Sequence, residues 1–462
     1  YHPFLYALRS DQLLGNLKLI MEPWDLGFQG WRTGQFLSPF GEWNDRFRDT
    51  TRQFWLSDIN QAAGHGVITM QEMATRLCGS ADLFATDPGR GATSSVNYIS
   101  AHDGFTLADL TSYDHKHNEA NGENNNDGTN VNHSANFGVE GPTDDLSIEN
   151  ARERSRMNML GTLMLSLGTP MMLAGDEFGN SQGGNNNAYC QDNEITWLDW
   201  DWLNCTEETP ESRQLEATSN LIAVRKSLDI YNHEEFFTRL SQLGLLKPSS
   251  RVQWSLPDGT MPIDQDWSNP AIRSFMMHLH FKNESDAVIV VNGSENNQQM
   301  HLPADSSFHL LWSSAQTTGE KPAPGTSVAK FKPRTAMPPL TETLQHKRDT
   351  LPMHDLDHAT GVSQPLPQAH PSHLSEDETH MLESIFDKRI QDTIDKHMAN
   401  NSWQSVQNTE SASVNNKPAN TSDSSKSAES QSAGGEHEVA DNVWTFPALS
   451  ISIMLQSSHQ HW

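Results

Sequence analysis

The run Lys18-Leu19-Ile20-Met21 passes directly into Glu22-Pro23-Trp24-Asp25, and the same order of residues recurs twice further along the chain. Val96 to Ala101 ends in His102-Asp103-Gly104, and Pro170-Met171-Met172-Leu173-Ala174 ends in Gly175-Asp176-Glu177. Apolar runs this short have the length of buried strands. Helical patterns sit between them. Thr69 with Glu72 reads as a capping box opening a helix through Met73 and Leu77 that stops near Gly79. Arg152 to Leu167 carries Met157, Leu160, Leu163, Met164 and Leu167 at helical spacing, and Thr209-Pro210 opens a helix through Leu221, Val224 and Leu228. Strands alternating with helices predict βα units around a parallel sheet.

Each of these strands ends in an acid. At the carboxyl ends of parallel barrel strands, residues distant in sequence meet on one rim, so Glu22, Asp103 and Asp176/Glu177 are expected to converge. A carboxyl pair astride a glycosidic bond is what acetal hydrolysis needs: one protonates the leaving oxygen and the other attacks or stabilises the oxocarbenium-like centre. A single strand-end Asp or Glu more commonly caps a helix or orders a loop. Three of them, with His102 beside Asp103 and Trp24 beside Glu22, point to a site for a sugar, which offers hydroxyls at its edge and C–H groups on its face.

The chain has 462 residues, 59 of them acidic against 31 Lys and Arg, for a net charge of −28. That balance excludes the basic footprint nucleic acid requires. No apolar run is long enough to span a membrane and no signal peptide is visible. The three cysteines, Cys78, Cys190 and Cys205, form no regular pattern, which favours a reducing, cytoplasmic compartment. His115 with His117 and His278 with His280 lack metal-ligand partners at suitable spacing, so no metal is assigned. Asn124-Asn125-Asn126-Asp127 and Asn185-Asn186-Asn187 lack an EF-hand pattern and read as loop-ordering turns. Gly183-Gly184 introduces no phosphate-binding motif, and no cofactor is implied.

From about residue 270 the period changes to two. Phe275, Met277, Leu279 and Phe281 alternate with more polar residues, Ala287 to Val291 is a buried run, and Phe308, Leu310 and Trp312 alternate again. Residues 341–442 are rich in Ser, Asn, Gln, His, Pro and acids and are expected to be mostly disordered, with an amphipathic helix near 376–398. Leu449, Ile451, Ile453 and Leu455 then restore strand character, so the chain is expected to return to the β-domain.

Five ordered motifs carry a specific resemblance. They are Leu19 to Gly27, Glu42-Trp43-Asn44-Asp45-Arg46-Phe47-Arg48-Asp49, Ala101-His102-Asp103-Gly104-Phe105-Thr106-Leu107, Lys116 to Glu123, and Gly184 to Asn193. Together they resemble bacterial glycogen debranching enzymes of the isoamylase group, within the alpha-amylase superfamily. The resemblance runs from about residue 1 to 312 and resumes at about 443 to 455. It implies a retaining hydrolase of α-1,6 branch linkages in glycogen or limit dextrin, on a (β/α)8 barrel with a C-terminal β-sandwich. Carried over by motif, Glu22 is the general acid/base and Asp103 the carboxylate that stabilises the transition state. His102 would bind the sugar, and Trp24 and Asp25 would line the substrate site.

The family's nucleophile is an Asp in a Gly-Phe-Arg-Phe-Asp-like motif upstream of the acid/base strand. No such motif precedes Glu22; only Asp11 lies there, in a helix-to-loop setting that reads as structural. The nucleophile is therefore expected upstream of Tyr1, and the chain reads as a fragment without the N-terminal half. The expected architecture is α/β: the C-terminal half of a (β/α)8 barrel over 1–235, an antiparallel β-sandwich over 236–340, the insertion over 341–442, and the last sandwich strand and tail over 443–462. Ala135, where the family pattern has Trp, is either a lost sugar platform or a lost core contact. Phe137 and Asn126 also depart from that pattern, standing where Cys and Arg are usual. Three functions remain open: a debranching hydrolase, a non-catalytic α-glucan-binding or partner protein, and a related glucan transferase.

Overall fold

The computed structural model describes residues 2–14, 17–25, 27–57, 68–85, 89–232, 236, 250–281, 286–303, 307–320, 322–324 and 442–457. The chain divides into one unit of residues 1–335 with 437–462 and a second of 336–436. The helix expected near 376–398, and nearly all of the expected insertion, lie outside the described residues.

Four short strands form a parallel sheet in the order β1 (Ile20–Met21), β2 (Gly41–Asn44), β3 (Ser95–Asn97) and β4 (Thr169–Pro170). Among the described residues this sheet is open, with β1 and β4 at its edges. Strand β2 was not among the expected apolar runs. Its flanking side chains, Glu42 and Asn44, are polar yet wholly buried, so hydrophobic periodicity could not reveal it. β3 and β4 are also shorter than the apolar runs that suggested them, the remainder of each run forming the loop that leaves the sheet.

Helices join and cover these strands. α1 is Pro3–Ser10, and at its end Asp11 Oδ1 accepts hydrogen bonds from the Leu13 and Leu14 N–H at 2.8 and 3.1 Å, the structural role expected. α2 (Asp45–Arg52) starts at the end of β2, where Asn44 caps it by accepting from Phe47 N–H at 3.0 Å. α3 (Met70–Leu77) has the expected Thr69/Glu72 capping box and ends before Gly79, whose φ of +84° lies in the left-handed region. α4 (Leu107–Leu110) follows the loop after β3. α5 (Leu146–Leu165) begins six residues before the predicted start because Asp145 caps it, accepting from Ser147 N–H at 2.9 Å. α6 (Pro210–Ser227) starts at the expected Thr209-Pro210.

The second layer is antiparallel. β5 (Ser250–Ser255), β6 (Ser274–Phe281), β7 (Ala287–Asn292), β8 (Gln298–His301), β9 (Phe308–Ser313), β10 (Ala323–Pro324), β11 (Val443–Phe446) and β12 (Ser450–Gln456) form two sheets, β5-β6-β7-β12-β9 and β10-β11-β8. β12 inserts between β7 and β9, with Ile453 opposite both Ile289 and Trp312. The alternation in β6 marks two buried faces rather than one. Phe275, Met277 and Leu279 join the main core with α5, while Met276 joins Val288, Val290 and Met454 against Met300, Leu302 and Phe446 of the smaller sheet.

The parallel and antiparallel parts share that main core. A Cβ on Gly161 of α5 would meet Ile451 Cγ2 at 2.7 Å and the Trp312 ring at 2.9 Å, so the helix lies on β12 and β9 at a separation only glycine permits. Asn158 Nδ2 donates to the Leu449 carbonyl at 2.8 Å and Trp312 Nε1 to the Ala217 carbonyl at 3.2 Å. The Arg273 guanidinium donates to the Phe54 carbonyl and stacks 4.4 Å from that ring. No helix among the described residues is long and apolar enough to cross a membrane.

Candidate active site

Glu22 is the first residue after β1, and Asp103 lies in the loop leaving β3. Both strands flank β2 in parallel register, so the two carboxylates leave the same end of the sheet, from strands about 10 Å apart at ordinary strand spacing. Both side chains are exposed. Between them stands an aromatic cluster. The Trp43 ring of β2 lies 6.4 Å from Trp24, 5.5 Å from Tyr98 and 5.7 Å from the His102 imidazole. Two expected site residues, Trp24 and His102, thus gather around Trp43.

The loop after Glu22 is fastened from beneath. Glu42 of β2 accepts from Gly34 N–H at 2.6 Å and Phe36 N–H at 3.2 Å, and pairs with Arg90 at 2.6 Å with neither side chain exposed. Asp45 accepts from Trp31 Nε1 at 2.7 Å and Thr33 Oγ1 at 3.0 Å. A buried pair that also satisfies backbone donors keeps its charges compensated. Asp25 spends one carboxylate oxygen on its own turn, accepting from Gly27 N–H at 2.5 Å, and its backbone N–H donates to the Gly30 carbonyl at 3.3 Å.

The loop after β3 rests on two arginines of α2. Arg52 is buried and donates to the Ile99 carbonyl at 2.8 Å and the Asn132 carbonyl at 3.3 Å. Burial, with the neighbouring Arg48 charge, pushes its guanidinium down to about 10, while Asp49, Tyr98 and Asp103 oppose that shift. Arg52 therefore remains cationic at neutral pH, a fixed positive charge under the Asp103 loop. Arg48 donates to the Tyr98 hydroxyl at 3.3 Å and pairs with Asp49 at 2.6 Å. Burial drives the Tyr98 hydroxyl upward, so it stays a phenol and can donate a hydrogen bond.

The third acid pair departs from expectation. Asp176 is 2 % exposed and turned inward, accepting from the Ser100 hydroxyl and from Leu107 N–H at 3.0 Å. Glu177 accepts from Gly175 N–H at 2.8 Å and orders its own turn. Neither converges on the rim with Glu22 and Asp103; short turns after β4 direct both back into the fold.

The asparagine stretches form the turn network expected of them. Asn118 Nδ2 donates to Asn186 Oδ1 at 2.8 Å, Asn186 Nδ2 donates to Asn132 Oδ1 at 3.0 Å, and Asp127 accepts from Asn121 and Asn187 at 2.8 Å each. Asn186 also accepts from Gly104 N–H through its carbonyl at 2.9 Å, tying this network to the His102-Asp103 loop. Ala135 is 1 % exposed within the main core, which makes it a packing position rather than a sugar platform. Among the described residues no group of three or more His, Cys, Asp or Glu is arranged to hold a metal. Trp43, Tyr98, Arg48 and Arg52 had no assigned role in the sequence reading, although Trp43 and Arg48 lie inside the Glu42 to Asp49 motif.

No family model matches the chain. Curated relatives do. Over 302 residues it is 42% identical to the glycogen operon protein GlgX homolog of Haemophilus influenzae, covering 64% of this chain and 41% of that protein. It is 41% identical over 302 residues to the glycogen debranching enzyme of Serratia proteamaculans, covering 65% and 41%. It is 53% identical over 265 residues to that of Pectobacterium atrosepticum, covering 57% and 37%. The chain thus spans about two-fifths of the length of the curated relatives it matches. Among solved structures, pullulanase type I from Bacillus subtilis aligns with a TM-score of 0.44 at 17% identity, over 66% of this chain and 37% of that one. The chain is thus similar, over part of their length, to bacterial proteins named as glycogen debranching enzymes and to a glycogen operon protein.

Proposed function

We propose that these residues form the acid/base half of a retaining glycoside hydrolase site that cleaves α-1,6 branch linkages in glycogen or limit dextrin. The observation that carries the reading is the placement of Glu22 and Asp103 at the same end of one parallel sheet, on either side of the Trp24, Trp43, Tyr98 and His102 rings. A glucose ring can lie with its C–H face on an aromatic platform while His102 and Asp103 take its hydroxyl edge. Glu22 donates its proton to the glycosidic oxygen as the bond breaks, and Asp103 offsets the positive charge that develops on the ring. Arg52 keeps the Asp103 loop in an electropositive setting. Trp24 contributes to the platform, and Asp25 shapes the turn that presents Glu22.

In this reading the parallel sheet is the second half of a (β/α)8 barrel over residues 1–235. The antiparallel layers are a sandwich over 236–340 that is completed by 443–462, with 341–442 inserted between. The free thiols of Cys78, Cys190 and Cys205 favour a cytoplasmic setting, and the partner is a neutral α-glucan. In this reading Glu22 and Asp103 supply the acid/base and the stabilising carboxylate, and glucan binding is the part of the function that the described residues carry. That division also keeps the non-catalytic glucan-binding reading alive.

Affinity electrophoresis of the 462-residue chain in glycogen-containing gels tests both. Retardation by glycogen that weakens in His102→Ala, without release of reducing ends, is the expected result. A chain that glycogen does not retard sinks the glucan reading, and one that releases linear maltodextrins unaided overturns the nucleophile assignment.

A further inference from the structure

The loop that carries His102 and Asp103 starts at Ser100 and ends at Leu107, and one side chain holds both ends. Asp176 Oδ2 accepts from the Ser100 hydroxyl, and Oδ1 accepts from Leu107 N–H at 3.0 Å. Ser100 and Leu107 are themselves buried, at 1 % and 0 % exposure, whereas His102 and Asp103 between them are exposed. Asp176 is held in turn, because Gln214 Nε2 of α6 donates to its carbonyl at 2.7 Å. Midway, Gly104 N–H donates to the Asn186 carbonyl at 2.9 Å. The loop is therefore a short exposed arch whose feet share one buried carboxyl.

We infer that Asp176 is a positioning residue: by closing the Ser100–Leu107 arch on a single carboxyl group, it sets where His102 and Asp103 meet the sugar. The inference rests on the α-glucan reading above. Its physical basis is that a buried carboxyl with two donors aimed at it costs several interactions to displace. The arch cannot shift without breaking both of those hydrogen bonds.

The same burial gives the clamp a pH signature. Burial pushes the Asp176 carboxyl up to about 7, with Glu177 adding to the rise and Ser100, Leu107 N–H and Arg52 opposing it. Arg52 on α2 and Glu177 on its own turn are the charged groups that act on it; Gln214 on α6 is neutral. An opened arch returns the group to water, where it ionises near its ordinary value of about 4. The closed arch is therefore favoured most at low pH. Its advantage falls as pH rises from about 4 to about 7 and is level above that.

Hydrogen exchange and maltoheptaose binding on the full 462-residue chain test the inference. In Asp176→Ala, protection of the 100–107 amides falls at least tenfold while that of β6 and β7 is unchanged, and the dissociation constant for maltoheptaose rises about tenfold. Asp176→Asn, whose amide can donate to Ser100 and accept from Leu107, keeps protection and affinity within about twofold of wild type. In wild type, arch protection declines from pH 4 to 7; in Asp176→Asn it stays flat. Unchanged arch protection in Asp176→Ala, unchanged affinity despite a loosened arch, or a pH step that persists in Asp176→Asn overturns the inference. If Asp176→Ala does not fold, the Asn pH profile decides alone. A loosened arch in a chain that binds no maltoheptaose even as wild type supports the clamp and sinks the α-glucan reading instead.

Discussion

The parallel sheet and the antiparallel sheets are held together by different forces. Strands β1 to β4 are two to four residues long, and their buried side chains include Glu42, Asn44, Ser95 and Asn97. These bond in a chain: Asn44 Nδ2 donates to Ser80 and Ser95 at 2.8 Å, Ser95 donates to Asn97 at 2.6 Å, and Asn97 Nδ2 donates to the Leu167 carbonyl at 2.8 Å. Strands β6, β7 and β12 run six to eight residues and bury Phe275, Met277, Ile289, Val291, Ile451 and Ile453. Directional bonds fix positions to tenths of an ångström but punish the loss of any partner; apolar packing tolerates rearrangement and supplies most of the stability. The region with exacting geometry is the one that presents Glu22 and Asp103.

That contrast can be broken in order of effect. The largest change is expected in catalysis. In a chimera whose amino-terminal portion comes from an active relative, Glu22→Gln and Asp103→Asn should each lower turnover of glycogen by about 10²–10⁴ while binding persists. Rates near wild type in either variant would refute the assigned roles. Next comes the buried pair. Glu42→Ala leaves Arg90 charged and unpaired in the core and should destabilise the chain by about 3–5 kcal/mol in urea unfolding, whereas a loss below about 1 kcal/mol would mean the pair is solvated.

The two regions should also respond to pH with opposite sign. His278 in β6, bonded to the Ser255 hydroxyl at 2.6 Å, is pushed down to about 4 by burial, with His280 adding to the shift. Its folded form is neutral, so the unfolded chain binds the extra proton, and stability falls as pH drops from about 6.5 to about 4. Asp176 gives the reverse slope over nearly the same window. Thermal unfolding between pH 4 and 8 should therefore tilt one way in His278→Gln and the other in Asp176→Asn, each by about 1–3 kcal/mol. Parallel profiles would contradict the burial of one of them. The smallest effect belongs to the larger antiparallel sheet: Ile289→Val should cost about 0.5–1.5 kcal/mol and leave glycogen retardation unchanged.

Legibility from sequence followed the same divide. The apolar runs of β6, β7, β9 and β12 could be read by period because packing chose their residues. Strand β2 could not, since Glu42 and Asn44 look like surface residues until their partners, Arg90, Ser80 and Ser95, arrive from distant segments. The positions of Glu22 and Asp103 beyond β1 and β3 were legible because a carboxylate after an apolar run marks a strand end. Asp176 satisfies that same rule and was misplaced by it: local pattern cannot tell whether a strand-end acid faces the rim or turns under a neighbouring loop. Trp43 was visible only as part of a motif, because its value lies in three ring contacts to other strands and loops.

Strand β10 pairs with β11 so that Ala323 faces Thr445 and Pro324 faces Trp444. Positions far apart in the sequence are thus neighbours in the smaller sheet. For a flexible loop the entropy of closure grows only with the logarithm of length, about 0.6 kcal/mol per doubling. A sheet whose two strands are already paired can carry a long sequence separation between them at little thermodynamic expense, provided that β11 and β12 are translated after it. A truncation that keeps every residue up to Pro324 but loses these two strands removes β12 from the middle of the larger sheet, leaving β7 and β9 without the partner each now shares.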